Sequence, residues 1–155
     1  MSTAVRFMVR RAHTRRELSE ALKLRYEVFC LEQGVPEREE LDGRDHEGMH
    51  LVAVPVDEAS ETAARELLGT CRLVFVGRTV QFSRLAVRAS ARRQGIATAL
   101  LEAADAETRA AGARRIVLHA QTYARPLYER AGYQARGSTF REAGIEHIAM
   151  EKELS

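Results

Sequence analysis

The sequence is poor in cysteine, in aromatic residues, in net charge and in long apolar runs. Only Cys30 and Cys71 occur among 155 residues. They form neither a close-spaced ligand pair nor a disulfide framework, which excludes a disulfide-stapled secreted fold and a cysteine-rich zinc module. This usage fits a reduced, cytoplasmic compartment. No segment approaches the roughly 20 apolar residues that a membrane-spanning helix needs. The opening MSTAVRFMVRRAHTRR has no apolar core of signal-peptide length, so an untargeted chain without membrane partners is expected. Lysine and arginine (24) nearly balance aspartate and glutamate (22), and aromatics make up 6%. Without a concentrated basic stripe or an aromatic platform, that balance argues against a nucleic-acid partner. What is present is a 45% hydrophobic, 30% charged chain, of a length suited to a single domain over residues 1–155.

Periodicity organises the chain. Val5, Phe7 and Val9 alternate as a first strand with one covered face. From Thr14, TRRELSEALKLRYEVFCLEQG places Leu18, Ala21, Leu22, Arg25, Val28 and Phe29 at helical spacing. Thr14 and Glu17 form a capping-box pattern, and Gly34 and Pro36 end the helix. The charged VPEREELDGRDHEGMH reads as a long loop, and long loops in compact domains are often functional. HLVAVPV, LLGTCRLVFVG and TVQFSRLAV then predict an antiparallel meander, with DEASETAARE before its second strand and Gly77-Arg78 turning into its third.

Beyond Val87 the pattern changes. IATALLEAADAETRAAGA predicts a helix with a stripe through Ala97, Leu100, Leu101 and Ala104, stopped at Gly112. The strand RRIVLHAQ follows, so strand, helix and strand make a crossover unit that favours parallel pairing. ARPLYERAG reads as a short helix with Pro126 in its first turn and Gly132 past its end. YQARGS and HIAMEKEL close the sheet antiparallel.

RRQGIATALL, from Arg92 to Leu101, carries the chemistry. A helix start leaves backbone N–H groups unpartnered and bears partial positive charge. Gly95 removes a side chain that would block close approach, Ala97 keeps the next turn small, and Arg92 and Arg93 add cationic donors suited to phosphate oxygens. A P-loop would end in Gly-Lys-Ser/Thr, and a dinucleotide fold would place G-x-G-x-x-G after its first strand; neither occurs. The bland reading is a helix whose exposed first turn merely tolerates arginines.

The surroundings favour the first reading. Arg92-x-x-Gly95-x-Ala97, directly after FSRLAV, resembles the R/Q-x-x-G-x-G/A acyl-CoA motif of the GNAT N-acyltransferase superfamily. Ala124, Tyr128, Gly132 and Tyr133, as AxxxYxxxGY, resemble that family's second half. LRYEVFCLEQGVP, EELDGRDHEGMHL, GTCRL and GIEHIAMEKEL are similar to its ElaA-like branch. The resemblance implies an α/β (α+β) fold, a mixed and mostly antiparallel sheet with one splayed parallel strand pair, flanked by helices. It also implies acetyl transfer from acetyl-CoA to a primary amine by direct attack. The donor's pantetheine would pair with Leu85, Ala86 and Val87, and its pyrophosphate would rest on Gln94, Gly95, Ile96 and Ala97 beside Arg92 and Arg93. Tyr128 would be the general acid, its alternative being a tyrosine packed on the sheet. Gln121 stands where many relatives carry asparagine for a donor contact.

The acceptor side is less defined. TVQFSRLAV has no carboxylate where some family members carry their base. Glu32, Glu40, Asp42, Asp45 and His50 from the front loop and His147 from the last strand are the candidates for amine recognition and deprotonation. Their alternative reading is a solvated acidic loop paired with Arg25, Arg72 or Arg84. The acceptor can be a small-molecule or a peptide amine, and edge strands leave homodimer formation open. A non-catalytic acyl-CoA-binding or sensing domain is the alternative function.

HEGMH, from His46 to His50, spells a zinc-protease motif, but both histidines would need one face of a stable helix. Gly48, the Asp42-Gly43 turn and the strand pattern from His50 argue against that helix, and no metal is expected. Cys30 and Cys71 read as small buried thiols. His119 reads as a core-edge residue and His13 as a surface one.

Overall fold

A computed structural model of the chain describes residues 6–56 and 66–155. Val5 of the expected first strand, and residues 57–65 of the polar connection, lie outside that range. Among the described residues, seven strands form one sheet in the order β1-β2-β3-β4-β5-β7-β6. They are β1 (Phe7–Arg11), β2 (Met49–Pro55), β3 (Gly69–Val76), β4 (Thr79–Val87), β5 (Arg115–Gln121), β6 (Gln134–Glu142) and β7 (Ile145–Glu153). Every neighbouring pair is antiparallel except β4 and β5. The helices are α1 (Arg15–Arg25), α2 (Glu37–Glu40), α3 (Ile96–Ala110) and α4 (Arg125–Arg130). The mixed, mostly antiparallel α/β architecture is the expected one.

Alternation along the strands assigns the two faces. Leu51 and Ala53 pack in a cluster with Ile96, Leu100, Leu101 and Ala104 of α3, whereas Val52 joins Ala21 and Leu24 of α1 on the opposite face. Full burial of an Ile or Leu side chain contributes about 1.5–3 kcal/mol, so the three large side chains of α3 anchor that helix firmly. The α3 stripe begins at Ile96 rather than Ala97, which is only half-buried. Gly69 of β3 permits the close approach of α3. A Cβ there would lie 2.8 Å from Ile96 Cγ2 and 3.1 Å from Leu100 Cδ1.

The Thr14 hydroxyl accepts from the N–H of Glu17 at 3.1 Å, and the Glu17 carboxylate accepts from the N–H of His13 at 3.0 Å. The start of α1 is therefore capped by the expected residue pair. After Arg25 the helix continues to Glu32 with π-type winding. A π segment inserts extra backbone per turn and often marks a functional position. The acidic loop is more ordered than expected: α2 and a 3-10 turn at Asp45–Glu47 precede β2. His46 is exposed on that turn while His50 is buried in β2, so they share no helix face. Among the described residues no helix is long and apolar enough to cross a membrane.

Candidate functional site

Two irregularities in β4 open the site. The strand pairs with β5 only from Thr79↔Arg115 to Gln81↔Val117. From Phe82 onward the two strands diverge, which leaves the β4 edge toward β5 without a ladder partner. Against β3 the register jumps from Arg72↔Ser83 to Thr70↔Ala86, and Arg84 adopts φ +59°. That extra residue is a bulge, and it reverses side-chain parity: Phe82 faces the α3 cluster, Ala86 the α1 cluster. The Arg84 guanidinium swings to the carbonyl of Glu40 at 2.9 Å.

A cleft of about 1550 Å³ fills the opening, lined by Leu85, Val87, Arg92, Arg93, Gly95 and Tyr128, among others. Gly95 takes the left-handed conformation (φ +83°) and begins α3 with no side-chain cap and no acidic residue in the first turn. Apart from its chain neighbours, no described residue lies within 4 Å of a Cβ built there. A bare, electropositive helix end facing a cleft is suited to an anion. Gln94, Ile96 and Ala97 belong to the same turn, with Ile96 buried as an anchor and Ala97 on the cleft wall. Leu85 and Val87 also line the cleft, whereas Ala86 is buried behind it. Arg93 has φ +65° and no recorded side-chain partner among the described residues. Arg92 is engaged: it donates to the Glu32 carboxylate at 2.6 and 2.7 Å and to the Val87 carbonyl at 3.1 Å. Glu32, at the end of the π segment, is held below the usual carboxylate range by that contact.

Tyr128 is 7% exposed and lines the cleft. Its ring meets Phe82 and Tyr133 edge-on, with centroids 6.4 and 6.0 Å away, a favoured aromatic geometry that fixes its direction. Burial pushes its phenol above the ordinary tyrosine value, and Cys71 and Tyr123 act in the same direction. It stays protonated at neutral pH and can act as a proton donor. Gln121 donates from its amide nitrogen to Gln33 Oε1 at 2.8 Å, tying β5 to the end of the π segment.

The acidic-loop candidates meet arginines. Glu40 is bound by Arg25 at 2.5 Å, and Asp45 accepts from Arg25 at 2.7 Å and Arg72 at 3.0 Å. Asp42 accepts from Arg72 at 2.7 Å and Arg84 at 3.3 Å. Those contacts hold Asp42 below the ordinary aspartate value, Arg72 foremost. Arg25 and Glu40 are almost fully buried, and a charge left alone in such a place costs several kcal/mol. His50 points Nε2 at the Asp45 carbonyl, 2.9 Å away. This network stiffens the loop over one wall of the cleft. His147 differs from the others: Nδ1 lies 2.7 Å from the Ile145 carbonyl, and Nε2 faces Glu142 at 3.8 Å.

Sequence reasoning passed over Glu142 and took His119 for a core-edge residue, but both line the cleft, with His119 Nδ1 2.9 Å from Glu142 Oε1. A signal existed in the two-residue turn Ala143–Gly144. It pairs Glu142 with Ile145 and Phe140 with His147, which requires β6 to run on past Ser138.

Comparison with known proteins agrees with this fold. A family profile described as "Acetyltransferase (GNAT) domain" matches residues 19–154. The Bacillus subtilis protein named "Uncharacterized N-acetyltransferase YjcF" is 30% identical over 143 residues, 92% of this chain and 96% of that one. In fold, the chain is similar to Escherichia coli ElaA (TM-score 0.78, 20% identity, 96% and 99% of the two chains covered). It is also similar to an aminoglycoside 6'-N-acetyltransferase solved with coenzyme A (TM-score 0.70, 17% identity, 94% and 96% covered).

Proposed function

The chain belongs to the GNAT acetyltransferase family, and on that premise we propose that it moves an acetyl group from acetyl-CoA to a primary amine by direct attack. The observation that carries this reading is the uncapped start of α3 at Gly95, set beside the unpaired edge of β4 in one cleft with Tyr128. Fold likeness to an acetyltransferase solved with coenzyme A supports a CoA-derived donor.

The chain's own residues supply a route. The open amides at the start of α3, with Arg93 beside them, receive the pyrophosphate. Arg92 joins them when it exchanges Glu32 for phosphate oxygens. The β4 edge that β5 leaves without a ladder partner, around Leu85, Ala86 and Val87, pairs with the donor's amide-bearing arm as an added strand would, Arg92 giving up the Val87 carbonyl as it turns to phosphate. The thioester then lies where β4 and β5 diverge, within reach of Tyr128. Attack on the carbonyl carbon is followed by loss of the thiolate, and proton donation from Tyr128 makes the sulfur a better leaving group.

The test is calorimetric and kinetic. The protein is expected to bind acetyl-CoA and to release free thiol only when a primary amine is supplied. Tyr128→Phe is expected to lower kcat by about 10²–10⁴-fold while leaving acetyl-CoA affinity unchanged. Donor binding without thiol release across a broad amine panel would overturn the reading in favour of a non-catalytic acyl-CoA-binding domain.

A further inference from the structure

Among the described residues, five carboxylates of the cleft have ion-pair partners: Glu32, Glu40, Asp42, Glu142 and Glu151. Four are paired with arginine. Glu32 holds Arg92, Glu40 holds Arg25, Asp42 holds Arg72 and Arg84, and Glu151 holds Arg115 and Arg136. Glu142 alone among them has only histidine partners. The Glu39 carboxylate on α2 has no ion pair recorded among the described residues, and Arg84 donates to its backbone carbonyl at 3.4 Å.

The group around Glu142 lies on one face of three adjacent strands. His119 and Gln121 alternate on β5, opposite Ala149 and His147 of β7, and His147 in turn opposes Phe140 of β6. The Phe140 ring meets His119 edge-on at 4.9 Å and stacks on His147 at 6.0 Å, fixing both imidazoles. The 2.7 Å contact from His147 Nδ1 to the Ile145 carbonyl requires Nδ1 to be the donor, so in the neutral ring Nε2 carries the lone pair. His147 is 7% exposed and Nε2 faces Glu142. The remaining charged groups of the hairpin turn elsewhere: Arg141 donates to the Gly144 carbonyl, and Glu146 accepts from Thr122. His147 also opposes Gln121, at the end of β5 from which the chain turns into α4 and Tyr128.

We propose that Glu142 and His147 form the acceptor end of this cleft, with Glu142 receiving the substrate's primary ammonium group and His147 Nε2 taking its proton. His119 and Phe140 are positioning residues. A carboxylate without a competing cation is the complement of an ammonium group, and an alkyl ammonium with a pKa near 10 must lose a proton before it can attack. The N–H bond breaks, its electron pair stays on nitrogen, and the proton bonds to Nε2. The amine attacks the thioester carbon, the C–S bond breaks with its pair going to sulfur, and Tyr128 protonates the sulfur. The second proton lost from nitrogen restores the Tyr128 phenol, and His147 returns its proton to water.

This inference rests on the acyl-transfer reading, and the experiment separates the two. Thiol release from acetyl-CoA is followed against phenethylamine and spermidine for the wild type, Glu142→Gln, Glu142→Lys and His147→Gln, each first checked for acetyl-CoA affinity. Glu142→Gln is expected to raise the amine KM about tenfold or more, and Glu142→Lys further, with donor affinity unchanged. His147→Gln is expected to lower kcat about 10²-fold with a smaller change in KM. Glu142 is half-exposed, so its two variants keep the test open if His147→Gln fails to fold. Unchanged amine KM and kcat in the variants, beside an active wild type, would overturn the acceptor site and leave acyl transfer standing. A wild type that binds acetyl-CoA yet acetylates no amine removes both.

Discussion

Gly95→Asp probes the proposed donor cradle most directly, because its effects on folding and on binding separate. A side chain at φ +83° costs an L-residue about 1–2 kcal/mol, and aspartate tolerates that region better than most. No described residue adds a steric cost, since none beyond the chain neighbours lies within 4 Å of a Cβ at Gly95. A domain with a stability of about 5–15 kcal/mol survives such a loss. Binding responds differently. One carboxylate charge about 5 Å from one phosphate charge is repelled by about 0.8 kcal/mol at the permittivity of water and about 3 kcal/mol at an effective value near 20. Two phosphates therefore weaken CoA binding by about fifteenfold at the least. Gly95→Ala serves as the control, carrying the backbone cost without the charge, and is expected to lose only a few-fold. Calorimetry with CoA at low salt and in 0.5 M NaCl measures the difference between the variants, which should narrow as salt screens the repulsion. A folded Gly95→Asp protein that binds CoA within twofold of wild type would refute the placement of the pyrophosphate.

Three further perturbations have defined outcomes. Glu32→Gln frees Arg92 from a half-exposed ion pair, of a kind worth about 0.2–1 kcal/mol. CoA should then bind about 1.5- to 5-fold more tightly by calorimetry, and weaker binding would show that Glu32 positions Arg92 rather than competing for it. Gly69→Ala drives a methyl against Ile96 and Leu100; overpacking costs about 1–3 kcal/mol, and thermal denaturation should show a fall of about 2–4 °C per kcal/mol. In acid, hydrogen bonding to Arg10 holds Glu17 at about 2 against a usual 4.5. Because the folded value is the lower one, this stabilisation is complete above about pH 4.5 and disappears as pH falls toward 2. Glu17→Gln should flatten that part of the Tm-versus-pH curve, and an unchanged slope would refute the assignment.

The elements that frame the proposed donor site were legible because their signals are local. Thr14 and Glu17 mark the start of α1 within one turn, Gly112 stops α3, and alternation in TVQFSRLAV and RRIVLHAQ predicts strands without knowledge of their neighbours. The π winding from Tyr26 to Glu32 was not legible, since its residues keep helical spacing and only the hydrogen-bond pattern differs. The bulge at Arg84 was equally hidden: one extra residue in β4 becomes visible only when β3 is laid beside it.

By itself, then, the sequence determined the order of helices and strands and the anion-suited start of α3, because capping, periodicity and left-handed glycine are properties of short stretches. Tertiary structure decided which charged groups are engaged. In the sequence Glu40, Asp42 and Asp45 read equally as acceptor-site groups or as partners of Arg25, Arg72 and Arg84, and it is the fold that brings those arginines against them. The Ala143–Gly144 turn places Glu142 at the end of β6, but only the register of three strands sets it between His119 and His147. Ion pairing falls off within a few ångströms, and separations of that size between residues distant in sequence are set by sheet register and bulges, which no local pattern encodes.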